Sequence, residues 1–197
     1  MTETLGWAAL ASFLVATATM VALHVVPSGA NPVTEGVSAY ALGPTRRGYQ
    51  IQAIASGVGA LLLVGSLVQR TPTLVAVGCL VAYGLARIAI VAFPTDQRGA
   101  PMTATGRNHA ILAAIAFVGV AIAAPMATIP LLGTGSTVAV DSVLLPLAWF
   151  VTITSLGSFA VAALPGTVRF YGIAQRAFHA AALGWFVLAA AAVVTAT

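Results

Sequence analysis

The chain has 197 residues, of which 60% are hydrophobic and 6% are charged, and its formal net charge is +4. A soluble domain is about 45–50% apolar and about 25% charged, and a globule of this size has too little interior to bury so much apolar surface. The composition therefore excludes a cytosolic enzyme, a secreted disulfide scaffold and a nucleic-acid-binding domain. It predicts an integral membrane protein whose natural partners include membrane lipids.

Six stretches of the sequence are long and apolar enough to cross a bilayer, which requires about 20 residues per helix. The ten-residue alternation that is typical of membrane β-barrels is absent from the sequence. We therefore predict an all-α membrane protein in which residues 1–197 form a single six-helix transmembrane domain. The predicted spans are residues 5–26, 49–68, 73–93, 109–131, 143–164 and 177–195.

Six spans place three long loops on one membrane face, which we call the three-loop face; they comprise residues 27–48, 94–108 and 165–175. Six arginines belong to this face, whereas the opposite face, with both termini and loops near residues 70 and 133–140, has one. Because cytoplasmic loops carry an excess of basic residues, the three-loop face is predicted to be cytoplasmic, unless its arginines serve a binding site instead. The six are Arg46, Arg47, Arg98, Arg107, Arg169 and Arg176.

A hydrophobic residue followed by proline recurs at the end of each odd-numbered span, at Pro27, Pro94 and Pro165. This recurrence is consistent with three helical hairpins whose loops meet at the three-loop face. Proline commonly ends a helix, so chance explains the pattern as well.

Arg87 is the charged residue that lies deepest in a predicted span, seven positions or about 10 Å before Pro94. A charge within a span costs about 2.5–3.5 kcal/mol on insertion scales, and it usually faces the bundle interior with a partner. We expect Arg87 to pair with Glu35 or Asp96, or to bind an external phosphate or carboxylate headgroup. A side chain that merely extends to the interface is the alternative.

Asp96 and His109 flank the entry into the fourth span, where a carboxylate beside an imidazole forms a minimal proton-transfer unit. The simpler interpretation is that the two residues tie the loop to the helix. On the sixth span, Arg176 and His179 are three residues apart and share one helical face.

The first loop contains apolar residues at near-helical spacing, which predicts a short lid-like helix over the end of the bundle. Ser38 and Tyr40 belong to this segment, and Glu35 precedes it. We expect these three side chains to face Arg87 or a ligand.

No pair of histidines has the spacing of a metal or haem site, and Cys79 is the sole cysteine. No nucleotide-binding loop is present either. The sequence therefore predicts neither a metal nor a cofactor.

Three segments resemble the bacterial membrane family catalogued as domain of unknown function 998. The first motif segment is Pro32-Val-Thr-Glu-Gly-Val-Ser-Ala-Tyr-Ala, the second runs from Phe93-Pro-Thr-Asp to Gly106-Arg-Asn-His109, and the third is Tyr171-Gly-Ile-Ala-Gln-Arg176. The resemblance implies a six-helix protein of the bacterial inner membrane, and it supports roles for Asp96 and His109. It implies no activity.

These observations leave three principal hypotheses open. The first is a protein that binds an anionic lipid or isoprenoid headgroup through Arg87, Arg107, Arg176 and His179, with Tyr40 and Ser38. The second is an enzyme that acts on such a lipid, with Asp96, His109 and Glu35 as acid and base. The third is a structural or regulatory membrane subunit with an unidentified protein partner; a transporter is a weaker fourth reading, because most polar groups lie at one face.

Overall fold

Six long helices dominate the computed structural model, which describes residues 2–70, 72–132 and 138–195. All six are long and apolar enough to cross a membrane, and no strand occurs in these ranges. The protein is therefore an all-α membrane bundle, as the composition predicted. Most of the expected loop at residues 133–140 lies outside the described residues. The helices are α1 (Thr2–Val25), α2 (Arg46–Leu67), α3 (Leu74–Ala89), α4 (Ala104–Thr128), α5 (Val138–Ala163) and α6 (Tyr171–Thr195).

The last three helices begin several residues before the predicted spans. At α4, the Thr103 side chain caps the helix by accepting a hydrogen bond from the Gly106 amide at 3.0 Å. The first turn of α4 is thus helical although it is polar. Hydropathy marks the part of a helix that is buried in lipid, and it misses the polar turn that extends beyond it.

The helices pack in chain order around a closed ring, since each contacts its neighbours and α1 returns to α6. The most extensive contacts join α1 to α2, α3 to α4 and α5 to α6, which is the arrangement expected of three helical hairpins. Trp185 and Phe186 of α6 are fully buried in the core. Trp185 Nε1 donates to the Thr128 hydroxyl of α4 at 2.8 Å, which satisfies the indole in the apolar interior.

Two glycines allow α2 and α3 to touch through their backbones. A Cβ atom on Gly57 would lie 2.7 Å from the Gly84 carbonyl oxygen, and one on Gly84 would lie 3.0 Å from that of Gly57. Small residues permit such close approach between membrane helices. The contact brings Ser56 of α2 next to Arg87 of α3.

The first loop contains the expected short helix, a 3₁₀ helix at Val37–Leu42 that we call the loop helix. Its Val37, Tyr40 and Ala41 side chains are buried. The loop helix packs on the first turns of α2 and α6 and covers part of the three-loop face.

Candidate functional site

Arg87 lies near the end of α3 and is only 4% exposed. Its Nε donates to the Ser56 hydroxyl at 3.2 Å, and one terminal nitrogen donates to the Gln52 side-chain oxygen. The Tyr49 ring lies with its centroid 6.0 Å from the guanidinium carbon. A buried cation is therefore surrounded by neutral groups of α2.

The acidic partners expected for Arg87 are engaged elsewhere. One Glu35 carboxylate oxygen accepts the Asn31 amide at 2.6 Å. Both Asp96 oxygens bind Thr103, one its amide at 2.9 Å and the other its hydroxyl at 2.7 Å. Among the described residues, no carboxylate forms an ion pair with Arg87. The internal ion pair expected from the sequence is not formed, because both carboxylates satisfy loop donors close to them in the chain.

Arg87 faces a cavity of about 270 Å³, which we call the inner cavity. It lies between the ends of α2 to α6 that belong to the three-loop face. One part of its wall is polar and the other is made of alanine and phenylalanine side chains from α4 and α5. The polar groups beside Arg87 include Ser38, His109, Ser158, Tyr171, Gln175 and His179.

His109 and His179 line the inner cavity, and in each ring Nδ1 contacts a backbone carbonyl. His109 Nδ1 lies 2.7 Å from the Phe93 carbonyl oxygen, and His179 Nδ1 lies 2.8 Å from that of Gln175. A carbonyl only accepts hydrogen bonds, so Nδ1 donates in both rings and Nε2 is the basic nitrogen of the neutral form. In the described ranges no hydrogen bond engages either Nε2. Each histidine thus offers one unoccupied base.

Asp96 stabilises the start of α4. The Thr103 amide and hydroxyl lower the pKa of the Asp96 carboxyl below its ordinary 3.8, with a smaller contribution from nearby His109. A Cβ atom on Gly106 would lie 1.9 Å from an Asp96 oxygen, so glycine makes room for the carboxylate. Asp96 and His109 make no hydrogen bond with each other. This geometry favours the tie between loop and helix, and a catalytic Asp96 stays a prediction.

Arg176 fastens the first loop to α6. One terminal nitrogen donates to the carbonyl oxygens of Pro32 at 2.8 Å, Glu35 at 2.7 Å and Gly172 at 3.1 Å. The other donates to the Tyr40 hydroxyl at 3.0 Å. Arg176 and Tyr40, both expected to bind ligand, are thus engaged in holding the loop in place.

A smaller cavity of about 210 Å³ lies toward the water and is called the vestibule. It shares Ser38, Thr95 and Tyr171 with the inner cavity, so these three side chains form a neck between the two. Glu35 and Asp96 border the vestibule.

The structure thus brings together four of the nine residues expected at the site: Ser38, Arg87, His109 and His179 line the inner cavity. Arg107 is exposed in the first turn of α4 and lines neither the inner cavity nor the vestibule.

Sequence reasoning missed Gln52 and Ser56, which bind Arg87. They are two polar side chains four residues apart within a span. Buried polar residues inside a membrane helix are a recognised functional signal, so this spacing was a usable clue.

One family model, described as Protein of unknown function (DUF998), matches residues 8–192, which include parts or all of each of the six helices. The chain belongs to this family. Neither the curated proteins nor the solved structures include a match to it.

The three motif segments that resemble DUF998 meet at the three-loop face. The Gly172 amide of the third donates to the Val33 carbonyl oxygen of the first at 2.9 Å. Arg98, within the second, donates to the Thr34 carbonyl oxygen of the first at 2.7 Å. The three segments therefore contribute part of the wall of the inner cavity, namely Ser38, Thr95, His109, Tyr171 and Gln175.

Proposed function

We propose that this DUF998 protein binds the anionic headgroup of a membrane amphiphile, a lipid or an isoprenoid, at Arg87. The observation that carries the proposal is the buried Arg87 guanidinium, which has neutral partners and faces the inner cavity.

The electrostatics of the site favour an anionic ligand. Gln52 and Ser56 satisfy two of the five guanidinium donors but leave the positive charge uncompensated. In surroundings of low dielectric constant, an anion close to that charge is attracted far more strongly than in water. The planar guanidinium also matches a phosphate or carboxylate through two parallel hydrogen bonds.

The size of the inner cavity fits a headgroup. Its volume of about 270 Å³ is many times the roughly 10–15 Å³ of cavity space that one water needs. A phosphate or carboxylate with a few further atoms can be held in such a space. Tyr171 and Ser158 add hydroxyl groups to the wall and provide further donors to an anion.

Native mass spectrometry of protein released gently from membranes tests this proposal. Wild type is expected to retain a discrete anionic amphiphile, and Arg87→Ala is expected to lose it. Arg107→Ala is the matched control, because it removes an exposed arginine from the same face. Arg87→Lys keeps the charge without the planar donor pair, and it is expected to retain less than wild type. Equal retention by wild type and Arg87→Ala, with both folded, would refute the proposal.

The second candidate function is an enzyme acting on the same amphiphile, and the unoccupied Nε2 atoms of His109 and His179 favour it. A histidine base near a bound anion is suited to proton transfer, while Arg87 stabilises developing negative charge. Glu35 and Asp96, at the vestibule, remain predicted contributors to this chemistry.

His109→Asn separates the enzyme from the binding protein. Asparagine retains an N–H donor near the position of Nδ1 and lacks the Nε2 base. The enzyme hypothesis predicts that this variant retains the amphiphile but does not convert it, and that wild type converts it. Turnover by His109→Asn at the wild-type rate would reject a role for this base.

A further inference from the structure

The apolar wall of the inner cavity lies between α4 and α5. Ala110, Ala113 and Ala114 of α4 face Phe159 and Ala162 of α5 across it. Ala110, Phe159 and Ala162 are also exposed. The accessibility of these wall residues indicates an opening of the cavity between the two helices, within the membrane-spanning segments. We call this opening the lateral slot.

Contacts deeper in the membrane fix the lower end of the lateral slot. The Thr152 hydroxyl of α5 donates to the Ala121 carbonyl oxygen of α4 at 2.6 Å, and the Ser155 hydroxyl donates to that of Phe117 at 3.1 Å. The Phe117 ring closes the floor by packing on Phe178, with the ring centroids 4.0 Å apart. Nearer the three-loop face, Ala110, Ala113 and Ala114 of α4 contribute only methyl groups to the wall of the slot.

We propose that the ligand of Arg87 is a membrane-resident amphiphile whose hydrocarbon chain passes through the lateral slot into the bilayer. The inference rests on the proposed function and adds the class of ligand and its route of entry. A cavity of about 270 Å³ holds a headgroup, but the hydrocarbon chain of a lipid extends for about 15 Å, half of the roughly 30 Å hydrocarbon core of a bilayer. The chain must therefore leave the cavity, and the lateral slot is an apolar exit.

The other two openings fit a hydrocarbon chain less well. The vestibule meets the inner cavity at the neck of Ser38, Thr95 and Tyr171, whose hydroxyl groups suit water or a free anion. A larger apolar groove of about 740 Å³ lies between α1 and α6, but His179 is the single residue it shares with the inner cavity. Arg87 does not line this groove. A space of about 10 Å³, lined by His179, Leu183 and Arg87, lies between the groove and the buried charge, and it is too small for a hydrocarbon chain.

Phenylalanine substitutions at two exposed alanines distinguish the routes. Ala162→Phe fills the lateral slot, whereas Ala180→Phe fills the groove between α1 and α6 and serves as the matched control. Ala110→Phe blocks the slot from α4 and replaces Ala162→Phe if that variant does not fold. Native mass spectrometry should show that either slot variant retains at least tenfold less amphiphile than wild type. Ala180→Phe should retain the wild-type amount.

Binding of inorganic phosphate to delipidated protein separates failure of the slot from failure of the anion site. Slot variants are expected to retain phosphate binding that depends on Arg87, because Arg87 and the vestibule are unchanged, whereas Arg87→Ala should bind none. Wild-type retention of amphiphile by Ala162→Phe would overturn the slot and leave the proposed function standing. If Ala180→Phe alone loses the amphiphile, the result would overturn the lateral slot as the route and favour the groove between α1 and α6. Arg87-dependent phosphate binding without any retained amphiphile would identify a free anion that enters through the vestibule, and would overturn the inference.

Discussion

Replacing Gly172 by alanine is expected to detach the first loop from α6. A Cβ atom at this position would lie 2.4 Å from the Pro32 carbonyl oxygen and 2.5 Å from that of Glu35. An ordinary contact between carbon and a carbonyl oxygen is about 3.3 Å, so the two carbonyls must retreat by about 0.8–0.9 Å. These are the carbonyls that accept hydrogen bonds from Arg176.

The magnitude follows from those hydrogen bonds. A hydrogen bond to a charged group contributes about 1.5–3 kcal/mol, and the two bonds from Arg176 now measure 2.8 and 2.7 Å. A retreat of this size stretches both beyond the usual range of about 2.7–3.2 Å. Loss of the equivalent of one bond, about 2 kcal/mol, raises the opening constant of the loop roughly 30-fold, since 1.4 kcal/mol corresponds to a factor of ten.

Hydrogen exchange measured by mass spectrometry tests this prediction. The Val37 amide, which donates to the Gln175 side-chain oxygen at 2.9 Å, is the reporter for docking of the loop. Protection of the loop helix is expected to fall by about 30-fold in Gly172→Ala. Gly157→Ala is the control, because nothing lies within 4 Å of its added methyl group. Unchanged protection of the Val37 segment in Gly172→Ala would refute the reasoning.

Three further changes address the entry into α4 and the surroundings of Arg87. The lowered pKa of Asp96 means that its contribution to stability is complete above about pH 3.8 and is lost as the pH falls through the lower folded-state pKa. The melting temperature of wild type should therefore fall over this pH range, and that of Asp96→Asn should fall less. Gly106→Ala should displace the same carboxylate, and its effect on the melting temperature should not add to that of Asp96→Ala; full additivity would contradict the contact. Gln52→Leu leaves one Arg87 donor unpaired and should lower the free energy of unfolding of delipidated protein by about 1–3 kcal/mol, whereas no change would show that the bond is unimportant.

The six helices could be predicted because a membrane helix forms its backbone hydrogen bonds within itself, so the length of an apolar segment is enough to identify it. The position of the motif segments at one face could also be predicted, since alternate loops between spans lie on the same side of the membrane. The partners of Arg87 could not be predicted from the sequence. They depend on which helix faces pack together, and the contact of Gly57 with Gly84 that brings Ser56 to Arg87 is a matter of shape between two helices. Charge suggested Glu35 and Asp96, but nearby loop amides and the Thr103 hydroxyl bind those carboxylates instead.

The lateral slot was equally invisible in the sequence. Ala110, Ala113, Ala114 and Ala162 are ordinary residues of membrane helices, and many other alanines in this chain simply pack in the core. The packing of α4 against α5 decides that these four side chains line the inner cavity. A slot of this kind is an opening between two helices, and residue types alone do not predict it.

At the three-loop face, the motif segments hold the loops in place, whereas Arg87 and its partners form the proposed anion site. Gly172 and Arg176 hold the loop, and Asp96 holds the start of α4, so damage to any of them should lower stability and ligand retention together. Gln52 and Ser56 lie outside the motif segments but bind Arg87 directly. Ser56→Ala removes a single hydroxyl from the anion site without touching the loops, so it should weaken ligand retention while leaving exchange of the loop helix unchanged. A substitution that separates these two measurements locates the binding chemistry at Arg87, independently of the wall that encloses it.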